Sequence, residues 1–275
     1  MAPRIIETGT SELLCSIEEG VGTLTLNRPE KRNALSENLT PALRAMLLDL
    51  DLDSEVRCLV ITGAGKSFCS GGDVSGLGDA ESFSESKMSE IDRIDQLKER
   101  QRTLTCRLYN FSKPTIAAIT GPAAGAGLCI ALACDLRIAA TTSFMTTGYS
   151  KIGLSGDYGG TWLLPRLIGP AIAKELYFSS RRVTAVEALR IGLINEMVPD
   201  QEFGARVKEY ALSIARGSPI AIKLIKENIN TALGNNLEDS LDREATNLMT
   251  CARTDDHREA VKAFIEKREP VFEGY

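Results

Sequence analysis

Two glycine-rich turns are the residues of this chain best suited to carry out chemistry. The first lies within residues 66–74 and follows the apolar run 58–62, and the second spans 121–127 and follows the run 115–119. Both runs are rich in β-branched residues, which predicts a strand that ends in each turn. Two such turns can present two backbone N–H groups to one oxygen atom. That pair of donors stabilises an anion that develops on a carbonyl.

Other kinds of catalytic site find little support in the residue types present. The only histidine, His257, lies in a charged segment near the C-terminus, which argues against a Ser-His-Asp arrangement and against a histidine-based metal site. The seven cysteines form no CxxC pair, a pattern typical of reduced thiols in a cytosol-like compartment. We therefore predict a cytoplasmic protein whose site holds no metal ion.

Charge and hydropathy exclude two classes of partner. The formal net charge is −5, whereas proteins that bind nucleic acid usually present a basic patch. No apolar stretch reaches the length of a membrane span, and residues 1–17 lack the basic and apolar regions of a signal peptide. The sequence predicts neither a nucleic-acid partner nor a membrane partner.

The spacing of apolar residues predicts an α/β core followed by a helical tail. Strands are expected at 13–17 and 21–26, as a hairpin, and at 58–62, 115–119, 135–139 and 194–198. Helices are expected at 36–50, 104–111, 127–134, 185–191, 203–215, 220–232, 237–248 and 258–267. Residues 79–100 are rich in Ser, Glu, Asp and Lys and predict a solvated segment over the site. The expected domains are a core over 1–195 and a helical region over 196–275.

Seven segments, in order along nearly the whole chain, resemble the crotonase (enoyl-CoA hydratase/isomerase) superfamily. They lie at 26–35, 68–74, 113–121, 124–127, 133–139, 159–166 and 258–268. The resemblance implies a spiral of ββα units with a helical C-terminal region for trimerisation, giving a homotrimer or a hexamer built as a dimer of trimers. It also implies an acyl-CoA thioester as substrate. Coenzyme A then enters as part of that substrate, and no tightly bound cofactor is expected.

The resemblance assigns the two oxyanion-binding N–H groups to Gly72 and Ala126. The family usually has glycine at the second position, but alanine keeps the backbone N–H. Ala126 also lies at the start of a predicted helix. Free N–H groups and the positive end of the helix dipole both favour an anion there.

The resemblance also implies where the CoA moiety lies. It assigns Lys31, Arg32 and Ala34 to positions along CoA, Ser70, Asp73, Val74 and Leu77 to the pantetheine and adenine region, and Phe264 and Lys267 to the nucleotide end, often of a neighbouring subunit. A few local cations suffice for an acidic chain to hold an anionic group. The alternative for each of these lysines and arginines is a solvated surface charge.

The positions that a typical hydratase uses carry other residues here. Hydratases of this family hold water between two glutamates, and those positions fall on Cys129 and Tyr149. A tyrosine can donate a hydrogen bond but is a poor general base. One carboxylate remains nearby, Asp157, at a position similar to that of the aspartate in the ring-1,2-epoxyphenylacetyl-CoA isomerase branch and near the acid/base aspartate of dienoyl-CoA isomerases.

Asp157 has two interpretations that do not exclude each other. It can be the acid/base of an isomerase, with a pKa raised by desolvation among Leu154, Tyr158 and Trp162. It can also cap a helix that starts near Tyr158. The leading hypothesis for the chain is an enoyl-CoA isomerase. The alternatives are an enoyl-CoA hydratase with an atypical site and a catalytically silent acyl-CoA binding protein.

Overall fold

The computed structural model describes residues 2–73 and 89–275. Its strands are β1 (Arg4–Ile6), β2 (Leu13–Glu18), β3 (Val21–Leu26), β4 (Cys58–Gly63), β5 (Thr115–Ile119), β6 (Ala123–Ala124), β7 (Leu136–Ala140), β8 (Phe144–Thr146), β9 (Val183–Thr184) and β10 (Glu196–Val198). A seven-stranded sheet has the order β1-β2-β3-β4-β5-β7-β10, and a three-stranded sheet has the order β6-β8-β9. In the large sheet, β1, β2 and β3 pair antiparallel, and every pairing from β3 to β10 is parallel.

The helices divide between the sheet and a C-terminal group. They are α1 (Leu39–Leu52), α2 (Glu90–Gln101), α3 (Ala126–Ala133), α4 (Gly160–Ile168), α5 (Pro170–Ser179), α6 (Ala185–Arg190), α7 (Phe203–Ala215), α8 (Pro219–Ala232), α9 (Leu237–Cys251) and α10 (Asp255–Glu266). After α2 the chain continues through a π-helical turn, Arg102–Cys106, into a last helical turn, Arg107–Tyr109. Two 3-10 turns lie at Pro29–Lys31 and Tyr149–Ile152.

Both faces of the central parallel strands are buried. Along β4, Leu59 and Ile61 face the larger core with α1 and α3, while Cys58 and Val60 face a second core. That second core is closed by α7, whose buried residues Phe203, Val207, Ala211 and Ala215 recur at the spacing of one helix face. Each fully buried large aliphatic side chain contributes about 1.5–3 kcal/mol relative to an exposed one. Burial on both faces is therefore the main force that holds the parallel strands together.

The mixed α/β architecture predicted from the sequence is confirmed. The hairpin and the strands and helices of the core form close to their predicted positions, as do the four C-terminal helices. β10, which follows residue 195, pairs with β7 as the last strand of the large sheet. The division of the chain into domains at 195/196 stays a prediction.

The segment 79–100, predicted to be solvated, is exposed in the part that the structure describes, and that part forms a helix which the sequence analysis did not predict. Residues 90–101 form helix α2, while 79–88 lie outside the described residues. Its apolar residues Ile91, Ile94 and Leu97 recur every three residues, but all three are exposed, and the charged residues between them dominate the composition of the segment. A capping box stabilises its start: the Ser89 hydroxyl accepts from the Asp92 amide, and the Asp92 carboxylate accepts from the Ser89 amide.

Asn33 connects the segment after β3 to the first glycine-rich turn. Its side chain is fully buried, its Oδ1 accepts from the Arg28 amide at 2.8 Å, and its Nδ2 donates to the carbonyls of Ala64 and Ser67 at 2.9 and 2.8 Å. Its φ of 56° lies in the left-handed region, which asparagine tolerates better than most residues. Asn33 therefore holds two loops of the candidate site together.

We expect Asn33→Ala to lower the free energy of unfolding by roughly 2–4 kcal/mol, because three backbone groups lose their partner. Urea denaturation measures this change. The matched control is Asn38→Ala, at an exposed residue before α1 whose side chain makes no cap bond. The control should cost less than about 0.5 kcal/mol. Equal, small losses in both variants would contradict the role of Asn33.

Candidate active site

The two glycine-rich turns lie against each other at one end of the parallel strands. The Ala124 amide donates to the Cys69 carbonyl at 2.9 Å, and Cys69 and Ala123 form a parallel bridge. The approach requires glycine at two positions. A Cβ at Gly127 would lie 2.4 Å from the Cys69 carbonyl oxygen, and Gly71, with φ of 97°, leaves only 3.0 Å between such an atom and the Ala124 oxygen. The backbones are therefore in direct contact.

The two predicted oxyanion donors are free to bind a ligand. Neither the Gly72 nor the Ala126 N–H donates a hydrogen bond to another residue of the described chain. The neighbours of Gly72 use their own groups to pair with Leu35: the Leu35 amide donates to the Gly71 carbonyl, and the Asp73 amide donates to the Leu35 carbonyl. Ala126 is the first residue of α3, where the amides lack an acceptor within the helix.

One cavity of about 720 Å³ brings these amides together with the predicted acid/base residue. Its walls include Gly72, Ala126, Asp157 and Tyr158, together with Arg44 of α1. Among the clefts found in the described part of the chain, this one alone contains both predicted donors. We take it as the candidate active site.

Asp157 belongs to a buried chain of polar side chains. Its Oδ1 accepts a short hydrogen bond from the Tyr149 hydroxyl, and that hydroxyl lies 3.5 Å from the Cys129 sulfur. The Tyr149 ring stacks on Tyr177, with centroids 6.1 Å apart. The two positions assigned to hydratase glutamates, Cys129 and Tyr149, are thus in contact with each other. Together they orient the Asp157 carboxylate.

The protonation of this chain follows from burial. Desolvation raises the pKa of Asp157 above its ordinary value, and the hydrogen bond from Tyr149 opposes that rise. Burial raises the pKa of the Cys129 thiol to about 12. Burial also raises the pKa of the Tyr149 hydroxyl, and the neighbouring Cys129 and Asp157 side chains raise it further. Cys129 and Tyr149 therefore stay neutral at ordinary pH. Of these three groups, only Asp157 can exchange a proton there.

The capping interpretation of Asp157 is wrong. Helix α4 starts at Gly160 with Gly159 as its N-cap and has no side-chain cap. The Asp157 carbonyl, rather than its carboxylate, accepts from the Gly160 amide at 3.2 Å. The carboxylate is engaged by Tyr149, because Tyr158 and Gly159 both adopt positive φ and turn the chain between Asp157 and the helix.

The residues expected along CoA lie in three places. Of them, Asp73 lines the cavity, and its carboxylate pairs with Arg28 at 3.4 Å. Lys31 and Arg32 are exposed, Ala34 is buried, and Ser70 is half-buried, with its amide donating to the Arg32 carbonyl at 3.0 Å. Phe264, which is 85% exposed, and Lys267 lie at the end of α10. Val74 and Leu77 fall outside the described residues. The assignment to CoA stays a prediction.

The sequence reasoning missed Arg28 as a supporting residue. Its guanidinium donates to the Ala34 carbonyl at 2.7 Å and pairs with Glu12 and Asp73, each at 3.4 Å. It thereby fixes the segment around Ala34 beside the first turn. Arg28 stands in the matched segment 26–35, but neither its spacing nor its type indicated these partners, which are distant in sequence.

The described residues offer neither a metal site nor a membrane-spanning helix. They contain no group of three or more His, Cys, Asp and Glu side chains placed to hold a metal ion. No helix in residues 2–73 or 89–275 is long and apolar enough to cross a bilayer. His257 is exposed on α10, outside the cavity.

Comparisons with known proteins agree with this geometry. Residues 16–275 match the family model "Enoyl-CoA hydratase/isomerase". The 1,2-epoxyphenylacetyl-CoA isomerase of Escherichia coli is 37% identical, over 95% of this chain and 98% of its own length. The short-chain-enoyl-CoA hydratase of Clostridium acetobutylicum is 36% identical, over 94% of this chain and 95% of its own length. The crystal structure of an enoyl-CoA hydratase from Polaromonas superposes with a TM-score of 0.87 at 32% identity, covering 95% of this chain and 99% of that one. The chain therefore belongs to the enoyl-CoA hydratase/isomerase family of the crotonase superfamily.

Proposed function

We propose that this enzyme isomerises an enoyl-CoA thioester with Asp157 as its acid/base. One observation carries the proposal: the Asp157 carboxylate lines the same cavity as the free amides of Gly72 and Ala126. The two positions where family hydratases hold water between glutamates carry Cys129 and Tyr149, which do not ionise at ordinary pH. The arrangement favours moving one proton between two carbons over adding water.

The proposed reaction uses the two amides and the carboxylate in turn. The thioester carbonyl oxygen accepts hydrogen bonds from Gly72 and Ala126, and the Asp157 carboxylate removes a proton from the carbon next to that carbonyl. The electron pair of the broken C–H bond moves towards the carbonyl, so that a dienolate forms with its negative charge on the oxygen. Asp157 then returns the proton to the far carbon of the conjugated system, and the double bond moves by one position. Each oxyanion donor is worth about 3 kcal/mol in the transition state.

Hydration is the second candidate. The relative from Clostridium acetobutylicum, 36% identical, is named a short-chain-enoyl-CoA hydratase. In this alternative Asp157 alone would activate a water molecule for addition to a 2-enoyl-CoA. A product that is heavier by one water separates the two reactions, and tight thioester binding without any turnover would indicate a silent acyl-CoA binding protein.

We also propose that the C-terminal helices assemble the chain into a trimer or hexamer. They expose several large apolar side chains, and those with more than half of their surface accessible include Ile225, Ile229, Leu233, Leu237, Leu241 and Leu248. Contiguous exposed apolar surface is typical of a protein interface. Phe264 and Lys267 would then meet the CoA of a neighbouring subunit. All seven cysteines are free thiols, which supports the cytoplasm as the compartment.

Light scattering coupled to size-exclusion chromatography tests this assembly. The expected mass is three or six times that of the 29.8 kDa chain. A mass that stays at one chain over a wide range of protein concentrations would contradict it.

Asp157→Asn should lower kcat for a 3-enoyl-CoA by about 10²- to 10⁴-fold, because the amide cannot take up the proton. The substitution keeps the shape of the side chain, so the variant should still bind CoA thioesters. Absorbance and mass spectrometry on straight-chain and aromatic enoyl-CoAs measure turnover and identify the product. The matched control is Glu37→Gln, at an exposed carboxylate on the edge of the same cavity, which should stay within about twofold of the parent. Normal turnover in Asp157→Asn would remove Asp157 from the mechanism.

Tyr149→Phe should move the acidic limb of the kcat/KM profile to higher pH. The base must be ionised, so activity falls as pH drops through the pKa of Asp157. The Tyr149 hydrogen bond stabilises the ionised form and lowers that pKa, and its loss raises it.

A matched control for this profile is Tyr177→Phe. The Tyr177 ring stacks on Tyr149, but its hydroxyl does not contribute to the pKa of Asp157. The acidic limb should therefore stay where it is in the parent enzyme. If the acidic limb of the kcat/KM profile also stays at the same pH in Tyr149→Phe, Tyr149 does not influence the pKa of Asp157.

A further inference from the structure

Arg44 presents an unsatisfied cation to the candidate active site. It lies in the middle of α1 and lines the cavity that contains Gly72, Ala126 and Asp157. Its Nη1 is buried and has no hydrogen-bond partner among the described residues. A buried donor without an acceptor costs roughly 1–3 kcal/mol, and more when it is charged. Arg44 therefore brings a positive charge to the cavity wall and has one guanidinium nitrogen without an acceptor.

Tyr158 supplies a second polar group to the wall of the same cavity. The residue is buried, and its φ of 45° is in the left-handed region, which is strained for a bulky side chain. Its carbonyl accepts from the Thr105 hydroxyl at 3.2 Å, whereas its own hydroxyl bonds to no residue in the described part of the chain. The fold therefore holds the Tyr158 side chain at the cavity wall in a strained backbone conformation, and its hydroxyl is left without a partner in the described chain.

Arg44, Arg100 and Tyr158 are close enough to interact electrostatically. Burial and Asp157 raise the pKa of the Tyr158 phenol, and the charges of Arg44 and Arg100 oppose that rise. Arg100 comes from the last turn of α2 and lines the same cavity. Among the ion pairs within residues 2–73 and 89–275, none includes Arg44 or Arg100. Their positive charge is therefore not neutralised by a salt bridge there.

We propose that Arg44 and Tyr158 form a polar subsite that binds the acyl group of the substrate. In the preferred substrate this acyl group carries an oxygen, beyond the thioester, that accepts a hydrogen bond. The inference rests on the proposed function, since it assumes that a CoA thioester occupies the cavity with its carbonyl at Gly72 and Ala126. A purely apolar acyl chain would leave the Arg44 donor buried and unpaired, and would desolvate the Tyr158 hydroxyl as well. An acyl oxygen, either a neutral hydroxyl or a carboxylate, satisfies both groups. Enzyme sites built around such donors reject analogues that lack the acceptor.

Binding of matched saturated thioesters tests the subsite without requiring turnover. The six-carbon set is hexanoyl-CoA, its ω-hydroxy derivative and adipoyl-CoA, and the five-carbon set is valeryl-CoA, its ω-hydroxy derivative and glutaryl-CoA. Calorimetry should show at least one oxygenated member bound about tenfold more tightly than its apolar counterpart, the size expected for one hydrogen bond to a charged group. The hydroxy and carboxylate arms show whether the acceptor is neutral or anionic.

Two variants test whether the preference for oxygenated thioesters depends on Arg44 and Tyr158. Arg44→Met keeps the length and apolar volume of the side chain, and Tyr158→Phe keeps the ring; each should reduce the preference severalfold while the affinity for the apolar thioester stays level or rises. Arg190→Met, at an exposed arginine of α6 that pairs with Glu187, is the control and should keep the full preference. Because Tyr158→Phe removes only a hydroxyl, the test stands even if Arg44→Met fails to fold.

The outcomes separate this inference from the proposed function. Equal binding of apolar and oxygenated thioesters in both sets overturns the subsite but leaves the family reaction intact. A preference that survives both Arg44→Met and Tyr158→Phe also overturns it. Failure of every thioester to bind overturns the subsite and the proposed function together.

Discussion

The chemistry of this site depends on direct backbone contact between two glycine-rich turns. Gly127 lies so close to Cys69, and Gly71 to Ala124, that the turns have no room for a side chain between them. That contact leaves the Gly72 and Ala126 amides without acceptors of their own at the wall of one cavity. Amides held in place by the fold need no reorganisation when charge develops on a bound oxygen, which is why such donors are effective in catalysis. Asn33 and Arg28 support the same contact from the side of β3.

The environment of Asp157 balances two opposed requirements. Burial makes the carboxylate a stronger base, but burial alone would also leave it protonated over much of the useful pH range. The Tyr149 hydroxyl donates to it and limits this effect, and Tyr149 can act as a donor because its own pKa is raised. The Cys129–Tyr149 pair occupies the two positions assigned to the hydratase glutamates, and Tyr149 donates to Asp157. In the proposed mechanism it orients and tunes one carboxylate instead of supplying two.

Arg44 and Tyr158, the proposed polar subsite, share one cavity with the Gly72 and Ala126 amides, the proposed carbonyl-binding groups. Arg44 of α1 and Tyr158, at the start of the turn that leads into α4, contribute from elements that are far apart in sequence. A buried donor atom without an acceptor, such as Nη1 of Arg44, destabilises the free protein, so its presence beside the proposed catalytic groups is consistent with a role in substrate recognition. The same physical argument connects the reaction and the proposed selectivity: both use donors that the folded chain leaves without an internal acceptor.

The sequence by itself was enough for the architecture and for a specific hypothesis about the donor pair. Buried strands such as Thr115–Ile119 and helices such as Phe203–Ala215 carry strong local patterns, and the matched segments led to the prediction of Gly72 and Ala126 as donors. The sequence analysis did not predict α2, whose three regularly spaced apolar residues, Ile91, Ile94 and Leu97, stand in a strongly charged and exposed segment. Nor could it show that the Asp157 carboxylate bonds to Tyr149 instead of capping α4, or that Arg44 lines the same cavity. Those outcomes depend on φ values at Tyr158 and Gly159 and on contacts between distant residues. Only the tertiary structure decides them, because local spacing does not determine which side chain reaches which partner across the core.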